Sequence, residues 1–267
     1  MIDKPDSWAT WLTSVAAILN AVAWPAVVAW FLFVHRFRIS HILEVLERKL
    51  SSAKKFKAGP LELEDLTDEL KESVNKASAQ VADETEIPKT VPEKQFEAAV
   101  SLQEKVRSTK LSEPRALEAV KSEINDLARK YGEVRANMPR GSSRTKEMNQ
   151  IAAGMRTLAL AGRPLWGSLS RSALTGKRLA AICMLQIKPE RSYYWWLMER
   201  FKIERHAFVL YQSAIAVLEY VKKRLYRNAD KTLSTIQDAI QAVSAYNDGK
   251  PDQNTLDVLN DALSMVR

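Results

Sequence analysis

Residues 7–34, SWATWLTSVAAILNAVAWPAVVAWFLFV, contain no Asp, Glu, Lys, Arg or His. These 28 uncharged positions exceed the roughly 20 that a helix needs to cross the hydrocarbon of a bilayer. No other feature restricts the fold as tightly, because a lone segment in hydrocarbon can satisfy its backbone groups only as a helix. Trp8 and Trp11 stand at one end and Arg36 and Arg38 at the other, as interfacial anchors do, with Trp24, Pro25 and Trp30 between them. Asn20 and Pro25 fall mid-span, where proline is tolerated and kinks the helix. A cleaved signal peptide fits less well. The start Met-Ile-Asp-Lys-Pro-Asp has no basic n-region, and the apolar run continues past the small-x-small sequence Ala21-Val22-Ala23. One retained span is expected.

The flanks give an orientation. Asp3, Lys4 and Asp6 precede the run, whereas Arg36, Arg38, Arg48, Lys49, Lys54, Lys55 and Lys57 follow it. Positive charge marks the cytoplasmic side, so the N-terminus is expected outside and the remainder in the cytoplasm. The same basic residues suit anionic headgroups. The single Cys183 agrees with a reducing compartment, since one thiol makes no internal disulfide.

Beyond the span, the 27% of charged residues and only eight glycines favour a folded, helical chain. No stretch alternates apolar and polar long enough to suggest a sheet. The expected class is all-α: an anchor over 1–38, a juxtamembrane and amphipathic linker over 39–92, and a basic multi-helix domain over 93–267. In the linker, Leu63, Leu66, Leu70, Val74, Ala77 and Val81 form one helical stripe. Packing on its own domain and a short oligomerising coiled coil both fit that stripe. The segment 87–92, Ile-Pro-Lys-Thr-Val-Pro, reads as a break.

In the domain, Leu117, Val120, Ile124, Leu127 and Tyr131 mark an amphipathic helix behind Ser112-Glu113-Pro114. Residues 138–143 read as a loop, and 162–176, with three of the glycines, as an irregular connection. Helices are expected over 177–187, 192–201, 204–227, 231–246 and 255–266. Short helices with short loops suggest a superhelical stack of the HEAT type, although no clean repeat period supports it.

Chemistry is thin. His35, His41 and His206 share no ligand spacing with each other or with Cys183, so no metal site is expected. Gly176-Lys177 lacks the earlier glycine of a nucleotide-binding loop, and Arg178 stands where a Mg²⁺-binding hydroxyl belongs. Gly167-Ser168 lacks the second glycine of a nucleophile elbow. No catalytic residue and no cofactor is assigned.

Two groups of motifs carry a resemblance. The first is Gly176-x-Arg178-Leu179-Ala180-Ala181-Ile182-x-x-Leu185-Gln186-x-x-Pro189, then Tyr193-x-x-Trp196-Leu197, then Glu204-x-x-x-Phe208-Val209-x-Tyr211-x-x-Ala214. The second, upstream, is Tyr131-x-x-x-Arg135-x-x-Met138-Pro139-x-Gly141-x-x-Arg144-Thr145-x-x-Met148. Together they resemble a helical module of largely uncharacterised bacterial membrane-tethered proteins, some associated with stress-response or phage-defence systems. The Trp-Pro-containing run and Phe56-Lys57-x-Gly59-x-Leu61-Glu62 resemble the tether of such proteins. The resemblance implies a protein of the bacterial inner (cytoplasmic) membrane with a cytosolic helical domain, and it supplies no catalytic residue. Ala207 departs from it, standing where the module usually has proline.

Charge is concentrated. Residues 101–230 carry 25 basic and 12 acidic side chains, whereas residues 61–100 carry 4 and 11. Arg140, Arg144, Arg156, Arg163, Arg171, Lys177, Arg178 and Arg191 make a candidate anion or partner patch, for anionic lipid, nucleic acid or a nucleotide. A merely solvated face is the plain alternative. In the stretch 190–201, ERSYYWWLMERF, helical spacing puts Tyr193, Trp196, Leu197 and Arg200 on one side, packing against Phe208 and Tyr211. Tyr194 and Trp195 are left as candidate exposed contacts. Three functions fit: a non-enzymatic membrane-anchored interaction or sensor protein with a protein partner or a second copy; an effector whose clustered spans perturb the bilayer; and a tethered nucleic-acid or nucleotide binder.

Overall fold

Leu66, Leu70, Val74, Ala77 and Val81 are all buried in the computed structural model, along one side of helix α1, Pro60–Ala82. The structure describes residues 60–82, 89–109, 111–245 and 252–266, all within the unit Ala58–Arg267. The expected span over 7–34, with Trp8, Trp11, Trp24, Pro25, Trp30, Arg36 and Arg38, lies outside the described residues. Among the described residues no helix is long and apolar enough to cross a membrane.

The described residues are helical throughout, with no strand among them. After α1 come α2 (Glu93–Ser108), α3 (Glu113–Asn137), α4 (Ser142–Thr157) and α5 (Trp166–Ser170). Then follow α6 (Thr175–Ile187), α7 (Tyr194–Ile203), α8 (Ala207–Lys222), α9 (Ala229–Ser244) and α10 (Gln253–Val266). Short 3-10 turns over Arg163–Leu165 and Arg191–Tyr193 lead into α5 and α7. The connection over 162–176 is thus more ordered than its glycines suggested, because Trp166 and Leu169 bury and hold a short helix.

The stripe of α1 packs on α4 and α3 of its own unit. An oligomerising seam has to stay open for a partner, and this one is occupied. The helix expected in a linker is therefore part of the helical domain. Deleting the fully buried Leu70 side chain to alanine costs about 2–5 kcal/mol.

Residues 208–221 of α8 are buried without exception, as are residues 179–187 of α6. These two helices pack on each other and form the centre. α3 and α4 lie against α6, while α7 and α10 lie against α8, and α9 covers α10 and α7. A stack of helix pairs has each unit touching only its neighbours. Here two helices are enclosed on all sides, which departs from the HEAT-type expectation.

The α3–α6 crossing needs a missing side chain. A Cβ on Gly176 would collide with the Ala128 backbone, so the glycine of the rejected nucleotide loop serves close helix packing. α8 begins at Ala207, three residues later than expected, because Glu204 is held outside the helix by Arg178. Ala207 is the first helical position, where the proline of the resembling module also fits. The helix ends at Lys222, five residues early, and Asn228 caps α9 by accepting the Lys231 N–H at 2.8 Å.

Candidate functional site: a basic face around Trp195

The eight residues of the expected patch do not form one surface. Arg156 is buried between four helices. It donates to Gln95 of α2 at 2.9 Å, to Gln186 of α6 at 2.5 Å and to Gln212 of α8 at 2.6 Å. Gln186 in turn donates to the backbone and side-chain oxygens of Gln212. The guanidinium fork fills a structural role that a lysine ammonium would not match.

Arg178 is a clasp. It bonds both oxygens of the buried Glu204, at 2.6 and 2.9 Å, and donates to the carbonyls of Ser172 and Ala173. Arg200 approaches the same carboxylate at 3.6 Å, and burial lowers its pKa against the pull of Glu204. Arg163 pairs with Glu190 at 2.6 Å and lies over the Tyr193 ring. Arg144 is half-buried and reaches the Met138 carbonyl at 3.4 Å, beside the C-terminus of α3. Arg140 is exposed in the α3–α4 connection, Arg171 is exposed after α5, and Lys177 is half-buried in α6.

The aromatic stretch divides differently from its helical projection. Tyr193 stacks on Trp166 with centroids 3.6 Å apart, and Trp196 meets the same ring edge-on at 5.2 Å. Their ring partner is Trp166, in place of the expected Phe208 and Tyr211, because the Arg191–Tyr193 turn swings Tyr193 off the α7 register. Trp196 also donates to the Ser170 carbonyl and carries Arg200 over its ring. Tyr194, expected on the surface, is buried. It stacks on Tyr220 at 4.5 Å, and its hydroxyl bonds Thr235 at 2.6 Å. Burial pushes its pKa up to about 12. Trp195 alone of the four is exposed, at 56%.

A cation from a part of the chain that the expected patch omitted, Lys231, lies against Trp195. Arg191 donates to the Leu225 carbonyl at 2.6 Å, and Lys223 to the Ile187 carbonyl at 3.2 Å. These bonds and the Tyr194–Thr235 pair tie the segment 187–195 to the segment 222–235. Lys231 places its ammonium 4.7 Å from the centre of the Trp195 ring. Lys188, Arg191, Lys222, Lys223, Arg224, Arg227 and Lys231 are all exposed. The acids in the same segments are Glu190, paired with Arg163, and Asp230.

Arg224 has φ of 49°, in the left-handed region. It ends α8 as glycine commonly does, with the Leu225 N–H bonding back to the Tyr220 carbonyl. A side chain there costs about 1–2 kcal/mol. The position keeps an exposed guanidinium at the expense of stability.

The sequence held one usable signal for this face. Asn228-Ala229-Asp230-Lys231 is a helix start, which marks residues 223–227 as the connection between two helices, with Lys223, Arg224 and Arg227 in it. That Trp195 would stand beside it is a tertiary fact.

The groups with the largest pKa shifts are core side chains. Burial pushes Cys183 up to about 11 and Tyr211 up to about 12. Cys183 is fully buried, so its thiol is shielded and protonated. Among the described residues no three His, Cys, Asp or Glu side chains gather as a metal site requires. No family model matches the chain, and no curated protein or solved structure matches it.

Proposed function

We propose that this chain is a non-enzymatic, membrane-anchored interaction protein of the bacterial inner membrane, presenting an all-helical domain in the cytoplasm. The observation that carries the reading is the pairing of two features. One is the uncharged run over 7–34, with its basic flank. The other is a rigidly supported, exposed indole–cation face in the helical domain. Its buried supports, Tyr194 and Tyr220, suit recognition, and the most perturbed side chains, Cys183, Tyr194 and Tyr211, are shifted by burial. A place in a stress-response or defence system follows from the resemblance of the Gly176–Ala214 motifs.

Alkaline extraction and reporter fusions test this. The full chain should stay with the membrane pellet, a C-terminal cytoplasmic reporter should be active, and deletion of residues 7–34 should release the protein. Extraction of the intact chain would refute the anchor. Asn20 and Pro25 within the run favour a second reading, in which clustered spans perturb the bilayer. Overexpression that never depolarises cells would dismiss that effector.

A further inference from the structure

We propose that the face around Trp195 docks onto the anionic phosphate headgroups of the membrane that anchors the chain. The proposal rests on the anchored reading above, and the face itself supplies the chemistry. The segments 188–191 and 222–231 carry exposed cations and are tied by the Arg191–Leu225 and Lys223–Ile187 bonds; Lys222 is paired with Glu219 at 3.0 Å, Glu190 is engaged by Arg163, and Asp230 is the remaining acid. Trp195 projects on a buried Tyr194–Tyr220 stack that fixes its position. An amphipathic indole with a lysine over its ring and further exposed cations on the adjoining segments suits the headgroup level of a bilayer.

A nucleic-acid strand is the rival polyanion, and the face suits it less. Binding a strand takes successive stacking platforms. Trp195 is the one aromatic residue among the large apolar side chains exposed in the described residues, and Lys231 occupies one side of its ring. Headgroups need no stacking.

The domain also has the electrical asymmetry that docking requires. Glu64, Asp65, Asp68 and Glu69 are exposed on the N-terminal half of α1. The adjacent groove, formed with Lys105 and Ser108, lies at the C-terminal end of α2. Lys223, by contrast, lies over Phe96 near the start of α2. Sixteen helical residues, about 24 Å, separate those ends. That exceeds the screening length of roughly 8 Å at physiological salt, so the acidic end is repelled by headgroups while the basic end is drawn to them. Tethering also raises the local concentration of the face at the bilayer.

Each cation near an anionic surface contributes about a fivefold gain in the ratio of docked to free domain. Full-length protein would be placed in nanodiscs of phosphatidylcholine, with or without phosphatidylglycerol, and amide hydrogen exchange followed. Residues 188–196 and 222–231 should exchange more slowly only with phosphatidylglycerol, and high salt should remove the protection. The variant Lys188→Gln/Arg227→Gln/Lys231→Gln should lower the docked ratio on the order of a hundredfold, with an unchanged circular dichroism spectrum and melting temperature. Equal exchange in both discs, or protection by an RNA oligonucleotide and none by phosphatidylglycerol, would overturn the docking. A chain that elutes free of the discs would refute the anchor separately. Cosedimentation with phosphatidylglycerol vesicles then decides the docking: salt-sensitive pelleting by the wild type alone supports it, and no pelleting overturns it.

Discussion

Arginine is used in two opposite ways in this molecule. In the interior, Arg156, Arg178 and Arg200 are enclosed by glutamine, carboxylate and carbonyl oxygens. On the surface, in the segments 188–195 and 222–231, Arg191, Arg224 and Arg227 are exposed, as are Lys223 and Lys231. The first group is enclosed by protein acceptors, whereas the second stays exposed even where Arg191 and Lys223 each hold a backbone carbonyl. Positive charge counted along a sequence does not separate the two, although one sets the fold and the other sets what the surface attracts.

The contrast breaks most visibly at Arg156. Arg156→Ala strips a buried cation from three glutamine oxygens and should cost about 3 kcal/mol or more, measured by urea unfolding. Arg156→Lys should recover only part of that loss, since an ammonium cannot occupy the fork. Unchanged stability in the alanine variant would remove the interior role.

Arg178→Ala comes next. It leaves Glu204 buried with Arg200 alone and frees the Ser172 and Ala173 carbonyls, for an expected loss of about 3 kcal/mol. Hydrogen exchange should rise at the start of α8, where the Arg178 clasp now holds the chain.

Arg224→Gly should act in the opposite direction. Removing the side chain from its left-handed position should stabilise the domain by about 1 kcal/mol, while weakening attraction to anionic vesicles. A destabilised glycine variant would show that Arg224 makes a contact the fold depends on.

The smallest effect on stability belongs to the exposed face. Trp195→Ala, or Lys231→Gln, should change unfolding free energy by no more than about 0.5 kcal/mol. A larger loss from either would move this face into the structural group and erase the comparison.

The helical class was legible in the sequence because periodic apolar stripes are local. The positions of α3, with Ile124 and Tyr131 inside, and of α1 follow from spacing alone. Which surface covers a stripe is not local. The residues from Leu66 to Val81 fit a coiled coil as well as they fit α4, and only the complementary surface in the same unit decides. The candidate site was legible for Trp195 and Arg191 and misassigned for most of the rest. Arg156 finds Gln95 sixty-one positions away, and Arg178 finds Glu204 twenty-six away, so their neutralisation has no signature in sequence. Tyr194 was misplaced for the same reason, since its partners Tyr220 and Thr235 come from later helices.

The partners of Arg156 lie 61, 30 and 56 positions from it. A partly assembled chain that lacks α2 or α8 must either keep this guanidinium wet, holding the centre open, or bury it with acceptors missing. Both alternatives are unfavourable. The polar knot therefore acts as a checkpoint on assembly, penalising half-built domains and favouring an all-or-none transition in which the helical unit appears whole.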